Sequence, residues 1–162
     1  MAEVLIIGYG NPLRSDDGFG WHAAQKLATS FHQSEIEVMA RQQLTPDLAE
    51  TASHFQLVVF IDAARDCAPG ELRCESIARG GSRGQVTSFS HFLTPASLLA
   101  WTAELYKKFP DAYSITVGGA SFAEGETLSP AVEAAFEPLL AQVHALLAQR
   151  GFNPRPTNPF TT

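Results

Sequence analysis

The sequence predicts a three-layer α/β/α sandwich, and three observations carry that expectation. Short apolar runs alternate with stretches of helical period along the chain. One run, residues 57–61, is five apolar residues in succession and rich in β-branched types. A central parallel strand buried on both faces has that composition. Finally, a Thr or Ser followed by Pro opens a helical stretch at Thr45-Pro46, Thr94-Pro95 and Ser129-Pro130. Proline is pre-organised at a first helical position, where its missing N–H costs nothing.

The elements follow in order. Residues 3–8 form a first strand around the apolar run 4–7. The loop from Gly8 to Gly20 is rich in glycine and carries Asp16 and Asp17 where a helix should begin. Residues 18–31 then show Trp21, Ala24, Leu27, Ala28 and Phe31 at helical spacing. Residues 35–40 alternate polar and apolar, as an outer strand does. The helix opened by Pro46 should run to about His54, and the buried strand 57–61 ends in Asp62. Residues 71–77 and 113–117 are further strands, 79–84 a loose loop, and 85–93 irregular with strand character. The helix from Pro95 should reach about Lys108. The last helix carries Val132, Phe136, Leu139, Leu140, Val143, Leu146 and Leu147 on one stripe, with Pro138 expected to kink it or cost a backbone hydrogen bond. One domain, 1–152, and an extended or mobile proline-containing tail, 153–162, are expected.

Composition narrows the function classes. A chain of 162 residues buries roughly 70% of its unfolded surface and needs no disulfide or structural metal. The net charge of −6 argues against a nucleic-acid partner, which requires a cationic footprint. No run of about 18 consecutive apolar residues occurs, so no membrane span is expected. The N-terminus enters a strand without a signal-peptide core, which makes a cytoplasmic location the expectation. Cys67 and Cys74 match neither a redox nor a zinc spacing and are expected to be reduced thiols.

Three chemistries compete for the polar residues. Dinucleotide binding needs a third glycine where Leu13 stands, and the paired aspartates would repel phosphate. A serine hydrolase is suggested by Gly80-Gly81-Ser82-Arg83-Gly84 and nearly by Gly119-Ala120-Ser121-Phe122-Ala123. The elbow mechanism requires a helix directly after the serine, and none is predicted after Gly84. Metal-assisted chemistry is the third. Asp16 and Asp17 follow strand one and Asp62 ends the buried strand; if those strands are neighbours, their carboxylates share a cleft that a cation would stabilise. Among the five histidines, His91 lies just ahead of a capped helix and is the candidate nitrogen ligand, the others falling in or at the ends of predicted helices. The bland alternative is that Asp16 or Asp17 caps the first helix, which explains one aspartate but not both.

The pattern Gly8-x-Gly10-Asn11-x-Leu13-x-x-Asp16-Asp17-Gly18-x-Gly20 resembles the signature of the hydrogenase maturation proteases. Three later blocks resemble that family in register: Asp62 with Pro69-Gly70, Ser90-His91-x-Leu93-x-Pro95-x-x-Leu98-Leu99, and Gly125-Glu126-x-Leu128-Ser129-Pro130-x-Val132-Glu133. The stretch Gly118-Gly119-Ala120-Ser121-Phe122 departs from it. The resemblance implies a five-stranded, mostly parallel mixed sheet with one antiparallel strand. It implies an endopeptidase that trims the C-terminal extension of the nickel-iron hydrogenase large-subunit precursor. Its metal-contacting and catalytic trio would be Asp17, Asp62 and His91, leaving Asp16 free to cap the helix. The nickel would be supplied by the substrate, with no tightly bound metal of the protein's own. A nickel-dependent chaperone for the large subunit and a metallohydrolase of the same fold with another peptide substrate are the alternatives.

Overall fold

The computed structural model describes residues 3–31, 35–78 and 93–152; the tail 153–162, Ser82 and His91 lie outside them. The elements are β1 (Val4–Tyr9), α1 (Phe19–Ser30), β2 (Ile36–Arg41), α2 (Leu48–Ser53), β3 (Leu57–Ala64), β4 (Leu72–Ser76), α3 (Pro95–Tyr106), β5 (Asp111–Gly118), α4 (Pro130–Glu133) and α5 (Phe136–Gln149). The strands form one sheet in the order β2-β1-β3-β5-β4. β1 runs parallel to β2 and β3, β3 runs parallel to β5, and β4 is antiparallel to β5. The expected mixed sheet is therefore present, with apolar β3 at its centre.

Side chains on a strand alternate faces with a period of two, and that alternation builds two cores. Val4 and Ile6 of β1, Leu57, Val59 and Ile61 of β3, and Ile115 and Val117 of β5 pack with α1, α4 and α5. Leu5, Ile7, Val58, Phe60 and Ala112 face the other way, onto Leu48, Ala49 and Ala52 of α2 and Leu98 and Leu99 of α3. Three layers result. The first layer is further tied by Phe19 of α1 stacked on Phe136 of α5, ring centres 4.8 Å apart.

The helices depart from the sequence pattern in instructive places. On α1 the buried residues are Phe19, Gly20, Ala23, Ala24 and Leu27; Trp21 is half-buried and Ala28 is exposed. The predicted stripe was rotated because Gly20 packs against strand backbone, and a glycine carries no hydropathy signal. The helix expected from Pro46 starts two residues later, at Leu48, after a turn in which the Leu48 amide donates to Thr45 O at 3.0 Å. Pro138 does not kink a continuous helix. The chain breaks at residues 134–135, so Pro138 falls in the first turn of α5, where a backbone N–H has no helical partner.

Together, Pro130–Gln149 are long and apolar enough to cross a membrane by length and composition. Their stripe of Val132, Phe136, Leu139, Val143 and Leu147 is instead packed in the first core. This is the core helix of a sandwich.

Thr94 is a true cap: its hydroxyl oxygen accepts from the Ser97 amide at 3.1 Å. Thr45 makes no such bond to α2. Thr94→Ala should therefore cost about 1 kcal/mol of stability and Thr45→Ala less than about 0.5 kcal/mol. Urea unfolding of the two variants measures the difference, and equal losses would contradict it.

Candidate active site

The β1–α1 connection is shaped by glycines that let backbone meet backbone. A Cβ on Gly8 would lie 2.0 Å from Gly20 O, so the start of α1 rests directly on β1. Gly10 has φ +148, and a Cβ there would stand 1.8 Å from the carbonyl oxygen of Asp17. That close approach brings the Asp17 carboxylate within 2.9 Å of the Asn11 amide, whose hydrogen bond it accepts. The Asn11 side chain in turn accepts from Leu13 N at 2.9 Å. The turn Gly8-Tyr9-Gly10-Asn11 is thus a mount for Asp17, not a phosphate cradle.

Asp16 has a different task. Residues Ser15–Gly18 form a 3-10 turn, and neither this turn nor α1 has a side-chain cap. The expectation that Asp16 caps the first helix is corrected. Its fully buried carboxylate crosses to the segment after β5. There it accepts from the amides of Ala120 (2.8 Å), Ser121 (3.0 Å) and Ser129 (2.7 Å), and from the Ser129 hydroxyl (2.8 Å). Burial opposes its ionisation, but these donors prevail and hold its pKa below the ordinary value. The same seam contains Ser15 N to Gly125 O at 2.8 Å and Asp16 N to Ser121 O at 3.0 Å.

Asp62 stands on β3 beyond the last residue paired with β1. Gly8 pairs with Ile61, so Tyr9 and Asp62 come next and share the α2/α3 side of the sheet. The chain leaves β1 for β2 on one side and returns to β3 on the other, which makes this edge the topological switch point where open α/β sheets bind ligands. A cleft of about 620 Å³ lies there, lined among others by Tyr9, Asn11, Arg14, Asp17, Asp62, Arg65 and Phe122.

Burial pushes the Asp62 carboxyl up to about 7; the Ala63 amide, bonded at 2.7 Å, opposes this, and the Asp17 charge adds to it. The Tyr9 hydroxyl is close enough to donate to Asp62. Burial, then Asp62 and Asp17, raise the Tyr9 phenol well above its usual value, so it stays protonated.

Two members of the predicted trio, Asp17 and Asp62, therefore share one cleft. His91 lies outside the described residues, although Leu93, Thr94 and Pro95, which follow it closely in sequence, line the cleft. Among the described residues no three His, Cys, Asp or Glu side chains form a metal-binding group. Ser121 is exposed, and no helix begins before Pro130, so the second serine motif lacks an elbow. Cys67 and Cys74 are free thiols. Sequence reasoning did not single out Tyr9, Arg14, Arg65 or Phe122; Tyr9 could have been found from strand register alone.

The sequence matches no family model and no curated protein. Solved structures do match. The hydrogenase maturating endopeptidase HybD from E. coli superposes with a TM-score of 0.78 at 23% identity, covering 96% of this chain and 98% of that one. The [NiFe] hydrogenase maturation protease HycI from Thermococcus kodakarensis superposes at 0.71 with 21% identity, covering 91% and 93%. A hydrogenase 2 maturation peptidase from a Thaumarchaeota archaeon gives 0.70 at 22% identity, covering 90% and 98%. The chain has the hydrogenase maturation protease fold. Within this maturation-protease fold, Asp16 braces the site and Asp17 and Asp62 line it.

Asp16 and Asp62 should tilt the pH dependence of stability in opposite directions. Asp16 has a lowered folded pKa, so its contribution is present above the unfolded value and is lost as pH falls through the folded one. Asp16→Asn should cost roughly 2–4 kcal/mol at neutral pH, because the amide keeps one acceptor oxygen and sets an NH2 group against donors that now bond the other, whereas Asp17→Asn should cost less than about 1 kcal/mol. Asp62 has a raised folded pKa, so the folded state holds the extra proton and stability falls as pH rises from about 4 to about 7. In metal-free protein, Asp62→Asn should gain on the parent by roughly 2–4 kcal/mol across that interval. Denaturant midpoints at several pH values check both signs, and a flat difference for Asp62→Asn would refute its shift.

Proposed function

We propose that the protein is an endopeptidase that removes the C-terminal extension of a nickel-loaded nickel-iron hydrogenase large-subunit precursor. It recognises the substrate-borne nickel through Asp17, Asp62 and His91. One observation carries this reading. In a fold shared with hydrogenase maturation endopeptidases, two carboxylates that each accept from a single backbone amide converge in the cleft at the switch point, while their neighbour Asp16 is wholly consumed by the fold. Carboxylate oxygens and an imidazole nitrogen are a donor set that suits a divalent nickel ion.

The raised pKa of Asp62 shapes the chemistry. A carboxyl that titrates near 7 is matched to proton transfer at neutral pH. It must also release its proton to act as a ligand, so docking of the substrate's nickel strengthens as pH rises through that value. The Tyr9 hydroxyl, kept protonated, is close enough to donate to this carboxylate, and both residues line the cleft. Nickel loading then licenses cleavage, because the empty precursor lacks the group that the carboxylates bind.

Incubating the protein with nickel-loaded and nickel-free precursor and following shortening on a gel tests the proposal. The loaded form should be cut and the free form left intact. Asp17→Asn and His91→Ala should lower the rate by roughly 100-fold or more, with unchanged circular dichroism. Normal cleavage by both variants would remove the ligand assignment, and equal rates on the two precursors would remove the nickel requirement. Failure of the parent protein to cut either precursor would refute the endopeptidase reading itself.

A further inference from the structure

The cleft that holds two carboxylates also has a basic rim. Arg14 and Arg65 both line it. Arg14 precedes Asp17 across the 3-10 turn, where the Asp17 amide donates to Arg14 O at 3.1 Å. Arg65 follows Asp62 immediately beyond the last residue of β3. Both side chains are exposed.

Their guanidinium groups have no acidic partner among the described residues. Among the described residues the Arg–carboxylate pairs are Arg73 with Glu71 and Arg150 with Asp111. The remaining residues, 1–2, 32–34, 79–92 and 153–162, contain no Asp or Glu at all. If the two arginines served only to neutralise the site, they would pair with Asp17 or Asp62, and neither does. Arg65 is nevertheless held in place: its guanidinium carbon stands 4.4 Å from the ring centre of Phe122, which also lines the cleft. Stacking leaves the edge of the guanidinium plane, with its N–H groups, free to bind.

We propose that Arg14 and Arg65 clamp a carboxylate of the substrate polypeptide, supplied by an acidic side chain of the C-terminal extension or by its free C-terminus. The proposal rests on the endopeptidase reading of the cleft. A guanidinium presents parallel N–H donors that match a carboxylate and does not titrate in the working pH range. A peptide anchored there while its metal meets Asp17 and Asp62 is held at two points, with the bond to be cut between them. The protein's net charge of −6 would otherwise repel an acidic chain end, so the rim also sets the direction in which that end enters.

The test is processing of nickel-loaded large-subunit precursor by the parent protein and by Arg14→Gln, Arg65→Gln and the double variant, with kcat and KM determined separately. Three precursors are compared: the natural one, one with every acidic residue of the extension changed to its amide, and one whose extension is lengthened by two glycines to displace the terminal carboxylate. The parent's cleavage of the natural precursor is the check on the endopeptidase reading, and without it the clamp falls too. Given that cleavage, each single variant should raise KM by about tenfold with kcat within about twofold. The precursor lacking the recognised carboxylate should show the same rise with the parent protein and no further rise with the variants. Loss with the amide precursor identifies a side-chain carboxylate, and loss with the lengthened one identifies the terminus. KM values unchanged in the variants, or losses that simply multiply between variant and altered precursor, would overturn the clamp. Arg65→Lys and Arg14→Lys should recover part of the affinity, which a packing role would not predict.

Discussion

The site depends on one buried carboxylate. Asp16 accepts four hydrogen bonds, all from the segment that follows β5, 104 to 113 residues away in the chain. An ionised carboxylate out of water is tolerable only when its lone pairs are filled, and here the donors more than offset the burial. In return, the loop after β1 is bolted to the loop after β5, across the end of β3 that lies between them in the sheet. Asp17, the next residue, inherits a fixed position from that anchorage. Ser129 shows the same economy, since its hydroxyl serves the carboxylate and not the first turn of α4.

The glycines complete the arrangement by permitting approach. Gly8 and Gly20 bring α1 onto the strands, and Gly10 brings the turn onto the Asp17 carbonyl. The cleft is then bounded by β1, β3 and the loops around them, and no residue of α1, α4 or α5 lines it. Access is from the α2/α3 side. The desolvation of Asp62 and the proximity of Asp17 follow from the same geometry, and together they put its proton near neutral pH.

Much of this was legible in the sequence. The apolar run 57–61 marked the central strand, the stripe from Val132 to Leu147 marked the helix of the first core, and Thr94-Pro95 marked a real cap. The adjacency of Asp17 and Asp62 followed once β1 and β3 were taken as neighbours. What failed was non-local. Nothing near Asp16 announces that its partners are Ala120, Ser121 and Ser129, so a local role as a helix cap was the natural reading. Pro138 was read as a kink because hydropathy runs smoothly through Ala134 and Ala135, whereas the backbone resolves the conflict by starting a new helix. The arginine rim was invisible for a similar reason: an exposed Arg is unremarkable until the fold sets it on the cleft with no ion pair among the described residues.

The strict alternation of β3 has a further consequence. Val58 and Phe60 face α2 and α3, and Asp62 follows them on that side, while Val59 and Ile61 fill the opposite core. Because the side-chain period is two, inserting or deleting one residue between Leu57 and Asp62 would exchange the faces. It would drive the carboxylate into the apolar layer of Phe19 and Leu139 and leave an aliphatic side chain at the cleft. Exchanging one hydrocarbon for another among 57–61 would leave the acid on its side of the sheet, whereas the length of that segment counts out where it stands.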